Sequence, residues 1–211
     1  MGASVNNELL GTVDYEDCMK SDLSDAIDHG ILVSNLALLL SKELHLDEEF
    51  CNDMAVAGML HDIGKLKLCK YLYGRRKDAL RIEEIKYVRM HSELSYKILE
   101  NRGYNSRILR AIYHHHENYD GSGYPDNIKG EDIPYGARIL RTCDVFAALV
   151  STRPYRAAFD METAVELMID EVKDFDMKIF LAFLRMIHSE QFNNLKQFID
   201  LANLERIIEE N

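Results

Sequence analysis

Five of the eight histidines in this chain stand with carboxylates at positions that hydrophobic packing alone would not choose. His61 and Asp62 lie in the apolar stretch AVAGMLHDIGK, His29 and His91 sit in apolar helical patterns, His115 and His116 end another, and Asp144 interrupts an apolar run. One histidine on an apolar stripe is usually a satisfied core residue, and a His-Asp dipeptide is common by itself. The whole set differs, because each unsatisfied buried polar group costs roughly 2–7 kcal/mol, and a shared cation compensates many of them together. Five imidazoles and two carboxylates are too many for one ion; they suit two ions about 3.5–4 Å apart, with Asp62 as the bridge. Mixed nitrogen and oxygen donors favour iron, manganese, zinc or nickel over calcium or magnesium, and iron or manganese is the expected metal.

Helices must carry these groups. Apolar residues return every three or four positions along most of the chain, with no convincing alternation of polar and apolar residues, so the predicted fold is all-α. A first helix is expected from about Ser21 to Leu44. A second starts after the N-cap Asp47, with Phe50, Met54, Ala57 and His61 on one stripe, and ends near Gly64. A third runs from about Ile82 to Asn101, carrying Ile85, Val88, His91, Leu94 and Ile98, and Gly103 stops it. The fourth, from about Asn105, delivers His114 to His116. The segment from Asn118 to Tyr135 is rich in glycine and proline and reads as a structured functional loop. A fifth helix, from about Pro134 to Val150, places Asp144 among Leu140, Ala147 and Ala148; Asp160 and Asp176 are candidate N-caps for two more, and a last helix fills Phe192 to Ile208. No internal repeat or linker divides the chain, giving a short extension at 1–20 and one helical domain at 21–211.

Composition narrows the partners. Lys and Arg number 25 against 36 Asp and Glu, a net charge of −11, the wrong sign for a DNA or RNA polymer or an anionic membrane surface. The most apolar patch, LALLL at Leu36 to Leu40, is too short to span a bilayer, and no signal peptide pattern opens the chain, so a cytoplasmic protein is expected. Cys18, Cys51, Cys69 and Cys143 show no CxxC spacing and read as reduced packing residues.

The motifs HDIGK, from His61 to Lys65, and HHENYDGSGYP, from His115 to Pro125, resemble the signature of the HD-GYP phosphodiesterases, a branch of the HD superfamily of metal-dependent phosphohydrolases. The likeness extends from His29 through RPYR at Arg153 to Arg156, with the motifs in family order. It implies a single HD-type helical bundle that hydrolyses cyclic di-GMP to linear pGpG, to GMP, or both. It further implies one metal held by His29, His61, Asp62 and Asp144, and another by Asp62, His91, His115 and His116. Some members hold a third ion through a glutamate one helical turn before the first histidine; Asp25 stands there and is either such a ligand or a solvated aspartate near a helix start. Bridging ions would make a hydroxide from a shared water for in-line attack on phosphorus. Lys65 would stabilise a phosphate oxygen or help protonate the leaving 3′ oxygen, and Arg153 and Arg156 resemble the family's phosphate contacts. Contact of the GYP loop with diguanylate cyclase domains is a further expectation of the resemblance.

Three departures stand out. Leu32 and Asn127 replace an arginine and a glycine usual in the family, and the stretch between Lys65 and His91 lacks the usual Lys-Pro-Gly, which implies a differently shaped entrance. No sensory domain is expected ahead of the first helix. Two other readings stay open: a phosphohydrolase for cyclic GMP-AMP or a mononucleotide, since the ligands fix the reaction better than the base, and a module that binds a cyclic dinucleotide or a cyclase without turnover.

Overall fold

The computed structural model describes residues 15–68, 88–152 and 156–209. The described residues form helices and short 3-10 turns without a strand, as periodicity predicts. In chain order the helices are α1 (Tyr15–Glu43), α2 (Glu48–Leu60), α3 (His91–Leu99), α4 (Ser106–Tyr113), α5 (Tyr135–Val150), α6 (Met161–Asp170), α7 (Met177–Ile187) and α8 (Asn193–Glu209). Three of the N-termini are capped by the aspartates that the sequence singles out, and a fourth by Asn105, where the fourth helix is expected to begin. Asp47, Asn105, Asp160 and Asp176 accept from the backbone N–H groups of Phe50, Ile108, Thr163 and Lys178, each cap contributing about 1 kcal/mol. Two boundaries differ from expectation. α1 begins at Tyr15 instead of Ser21. The stretch expected to be helical from about Ile82 is described from Val88 on, and α3 starts at His91 after a turn at Met90.

α1 and α5 run through the centre. Leu36 and Leu40 of α1, Met54 of α2, Ile112 of α4, Leu140 and Phe146 of α5 and Phe183 of α7 are fully buried. Burying each such side chain stabilises the fold by about 1.5–3 kcal/mol. Phe146 meets Phe183 edge-on at 5.0 Å, joining α5 to α7. Between α2 and α4, Asp53 accepts from Asn105 Nδ2 at 2.8 Å and from the Arg107 guanidinium at 2.5 Å, so that the start of α4 is fixed before it delivers its histidines. Among the described residues, no helix is long and apolar enough to cross a membrane.

The crossing of α1 and α2 sets the site. Gly58 of α2 lies against the backbone of Ser34, and a Cβ there would stand 2.9 Å from its Cα and N atoms; one on Gly30 of α1 would stand 2.7 Å from the Met59 carbonyl oxygen. With no side chain at either point the backbones press together, bringing the His29 and His61 rings to 5.2 Å. Gly58→Ala is therefore expected to destabilise the protein by about 1–3 kcal/mol in a urea titration and to reduce bound metal. Unchanged stability would show that the crossing is not limiting.

Candidate metal centre

Six of the seven ligands expected from the sequence are buried, and His116 is partly exposed. His29 comes from mid-α1, His61 and Asp62 from the turn after α2, His91 from the first residue of α3, His115 and His116 from the turn after α4, and Asp144 from mid-α5. Three of the imidazoles share one local device. Nδ1 of His61, His91 and His115 donates to the carbonyl three residues earlier, of Gly58, Val88 and Ile112, at 2.8, 2.6 and 2.6 Å. A carbonyl only accepts, so Nδ1 carries the proton and Nε2 presents a lone pair inward.

Those lone pairs converge. His91 Nε2 is 3.2 Å from His115 Nε2, 3.0 Å from His116 Nε2 and 3.2 Å from Asp62 Oδ1. On the other side His61 Nε2 is 3.4 Å from Asp62 Oδ2 and 3.5 Å from Asp144 Oδ1, and His29 Nε2 is 2.9 Å from Asp144 Oδ1. Two lone pairs aimed at each other at about 3 Å repel unless positive charge lies between them. His61 Nε2 and Asp62 Oδ1 are, moreover, buried with no hydrogen-bond partner, which a native interior rarely tolerates. Candidate triads are His29 with His61 and Asp62, His61 with His115 and Asp144, and His91 with His115 and His116. The donor set therefore fits divalent metal, with Asp62 reaching both halves of the cluster through its two oxygens.

Electrostatics agree with ligation. Burial lowers the proton affinity of His29, His91 and His115, and brings His116 down to about 3, so these rings stay neutral. His61 is the exception: burial opposes its proton, but Asp62 and Asp144 outweigh burial and raise it to about 10. Against the same burial, Lys65 and His61 hold the Asp62 carboxyl well below its ordinary range, and His29 and His61 do so for Asp144. The carboxylates are therefore charged, the form in which they would ligate a cation.

Two glycines of the motifs are explained by close approach. A Cβ on Gly64 would fall 2.2 Å from the His91 carbonyl oxygen, so the HDIGK turn lies directly on the start of α3. Ser95 bolts them together: its hydroxyl donates to the His61 carbonyl at 2.7 Å and accepts from Gly64 N–H at 2.9 Å. A Cβ on Gly123 would fall 2.4 Å from the His116 carbonyl oxygen, and Tyr124 N–H donates to that oxygen at 3.1 Å. The GYP loop thus folds back on the histidines, and the Tyr124 ring stacks on the His116 ring at 4.6 Å. Glu117, whose carboxylate is buried, accepts from Asp126 N–H at 2.6 Å and holds the loop's far end. Asn127 takes φ +55°, the left-handed conformation for which asparagine substitutes for glycine. Ser95 and Glu117 escape a search for ligands; the pairing of Ser95 with Gly64 crosses 31 residues, and no local spacing encodes it.

Lys65 reaches the cluster, its Nζ 2.5 Å from Asp62 Oδ2. Asp25 lies on α1 one turn before His29. Arg153 and Tyr155 lie outside the described residues, as does the connector after Leu68. Arg156 is described, and its guanidinium donates to the carbonyls of Ala148 and Leu149 at 2.6 and 3.3 Å and lies over the Phe159 ring. It is engaged at the C-terminus of α5. Cys51 and Cys143 are buried free thiols, as expected of packing residues.

Comparison with known proteins matches the HD domain over residues 15–179. The chain is similar to the cyclic di-GMP phosphodiesterase response regulator RpfG of Xanthomonas campestris, 34% identical over 183 residues, covering 85% of this chain and 46% of that protein. It is 31% identical over 160 residues to the cyclic di-GMP phosphodiesterase PA4108 of Pseudomonas aeruginosa, covering 75% and 38%. It is 32% identical over 169 residues to 3'3'-cGAMP-specific phosphodiesterase 1 of Vibrio cholerae, covering 79% and 38%. The chain spans less than half the length of these relatives. Among solved structures, Bd1817, an HDG"Y"P protein from Bdellovibrio bacteriovorus, shares the fold at a TM-score of 0.62 and 16% identity, covering 78% of this chain and 53% of that one.

Ser95→Ala removes both bonds that fix the HDIGK turn against α3 and orphans the buried Gly64 N–H. We expect a loss of about 1–3 kcal/mol in stability and weaker retention of metal during dialysis against a chelator. Retention equal to wild type would deny Ser95 a positioning role.

Proposed function

The chain belongs to the HD domain family, in its HD-GYP branch, and from that premise we propose that it hydrolyses a cyclic dinucleotide, with cyclic di-GMP as the first candidate and pGpG, GMP or both as products. The observation that carries this reading is the convergence of five imidazoles and two charged carboxylates in one largely buried cluster. In this reading His29, His61, Asp62 and Asp144 hold one divalent ion and Asp62, His91, His115 and His116 the other, iron or manganese before zinc or nickel, with Asp25 as the ligand to test for a third. When bound, such ions supply Lewis acidity toward a phosphate oxygen and lower the pKa of water.

The protein's own groups then act on the diester. Attack by water oxygen forms one P–O bond as the bond from phosphorus to the ribose 3′ oxygen breaks; the water gives up one proton and the 3′ oxygen gains one, so that the protons balance. Lys65, held at Asp62 with nearly half of its side chain exposed, is placed to stabilise a phosphate oxygen or to give that proton. Arg153 is the proposed phosphate contact from RPYR. Arg156 is held at the end of α5, and would itself reach phosphate only by releasing its two carbonyl bonds. Residues 21–211 form the proposed catalytic domain, and the GYP loop, folded over His116, is the proposed contact for a diguanylate cyclase domain.

A second reading, cyclic GMP-AMP as substrate, is supported by comparable identity to the Vibrio cholerae enzyme named for it. Both are tested by incubating anaerobically purified protein of measured metal content with each dinucleotide and separating products by chromatography. Appearance of linear dinucleotide or GMP is expected, abolished by chelator and restored by manganese or ferrous ion. No turnover of either by the metal-loaded protein would overturn the assignment. Asp62→Ala and His61→Ala should lose turnover and bound metal together, whereas exposed His188→Ala should retain both. Lys65→Ala should keep its metal and lose about 10²-fold in kcat; an unchanged kcat would remove Lys65 from the chemistry.

A further inference from the structure

Arg89 lies two residues before His91 and is exposed. Most arginines of the described chain are occupied. Arg107 pairs with Asp53, Arg138 with Asp176 and Arg185 with Glu43, Arg141 lies 3.7 Å from Asp174, and Arg156 is spent on backbone carbonyls. Arg89 pairs with no carboxylate among the described residues. Its guanidinium carbon stands 5.2 Å from the centre of the Tyr124 ring. That ring stacks on His116 at 4.6 Å and lies edge-on to His91 at 6.5 Å. This cation, without a carboxylate partner among the described residues, is thus parked on the rim of the metal centre, one aromatic ring away from a candidate ligand.

We propose that Arg89, steadied on Tyr124, forms an anion subsite that takes the second phosphodiester of the cyclic dinucleotide while the first lies at the His/Asp cluster. This rests on the function proposed above. A cyclic dinucleotide carries two phosphates separated by its riboses, so placing one at the cluster leaves the other displaced toward the rim. Lys65 serves the first position, because its Nζ sits on Asp62. In a chain of net charge −11 the second phosphate needs a local cation. A guanidinium matches a phosphate with two parallel N–H donors, and the ring restricts its orientations before the ligand arrives.

The test measures both binding and turnover in metal-loaded wild type, Arg89→Lys and Arg89→Ala. The probes are cyclic di-GMP, with two phosphates, and bis(4-nitrophenyl) phosphate, with one. Arg89→Ala should raise the KM and Kd for cyclic di-GMP about tenfold, as loss of a charge-assisted contact does, with kcat within about twofold of wild type. Arg89→Lys should fall between, and the KM for the single diester should not move. An unchanged Kd for cyclic di-GMP, or an equal rise for both probes, would overturn the subsite. If wild type cleaves bis(4-nitrophenyl) phosphate but binds cyclic di-GMP without turnover, the proposed activity fails and the subsite is still decided by the Kd. No binding of cyclic di-GMP by wild type would overturn both.

Discussion

The hydrogen bond from an imidazole Nδ1–H to the carbonyl three residues back is the interaction on which this centre depends. It occurs at His61, His91 and His115. In each case the carbonyl belongs to the turn that carries the ring. The bond selects the tautomer, turns Nε2 inward and ties the ring's direction to the backbone. A free histidine chooses between two tautomers and several rotamers; here both choices are made locally, before any ion binds. The inward lone pairs then define a place where only positive charge is comfortable, because His91 and His115 face each other at 3.2 Å.

Such local aim is useful only if the carriers are brought to the right separation, and the structure achieves that by leaving out side chains. Gly30 and Gly58 seat α1 on α2, Gly64 seats the HDIGK turn on α3, and Gly123 seats the GYP loop on the turn that holds His116. At each point the neighbouring atom is backbone, which cannot swing away as a side-chain tip would. Polar fasteners then hold these contacts: Ser95 across the second, Glu117 beside the third, and the Asp53, Asn105 and Arg107 clamp at the root of α4. Both glycine-bearing motifs are therefore positional as well as chemical. The same sequence letters that bring ligands also bring the surfaces that let the ligands meet.

Charge completes the arrangement. Two buried carboxylates stay ionised although burial opposes it, and four of the five histidines stay neutral. The cationic side chains differ in duty. Lys65 is drawn onto Asp62, Arg156 closes the end of α5, and Arg89, without a carboxylate partner among the described residues, stands on the rim.

The residues themselves carried a good deal of this. Helical periodicity, the acidic and asparagine caps and the recurrence of histidine with aspartate are properties of short windows, and each window reports the local physics that made it: Asp47 caps because its oxygen reaches the N–H three residues on, and Asn127 turns because its side chain tolerates the left-handed region. The seven candidate ligands could be picked out because polar titratable groups on apolar faces are anomalous wherever they lie. Tertiary structure decided what depends on separation in space: that α2 ends in a turn pressed onto α3, that Ser95 reaches His61 across 34 residues, that Arg156 spends its guanidinium on the end of α5, and that Arg89 meets Tyr124. Those pairings set no period and leave no spacing, because contact between distant segments is fixed by how whole helices pack and not by the residues beside each partner in the chain.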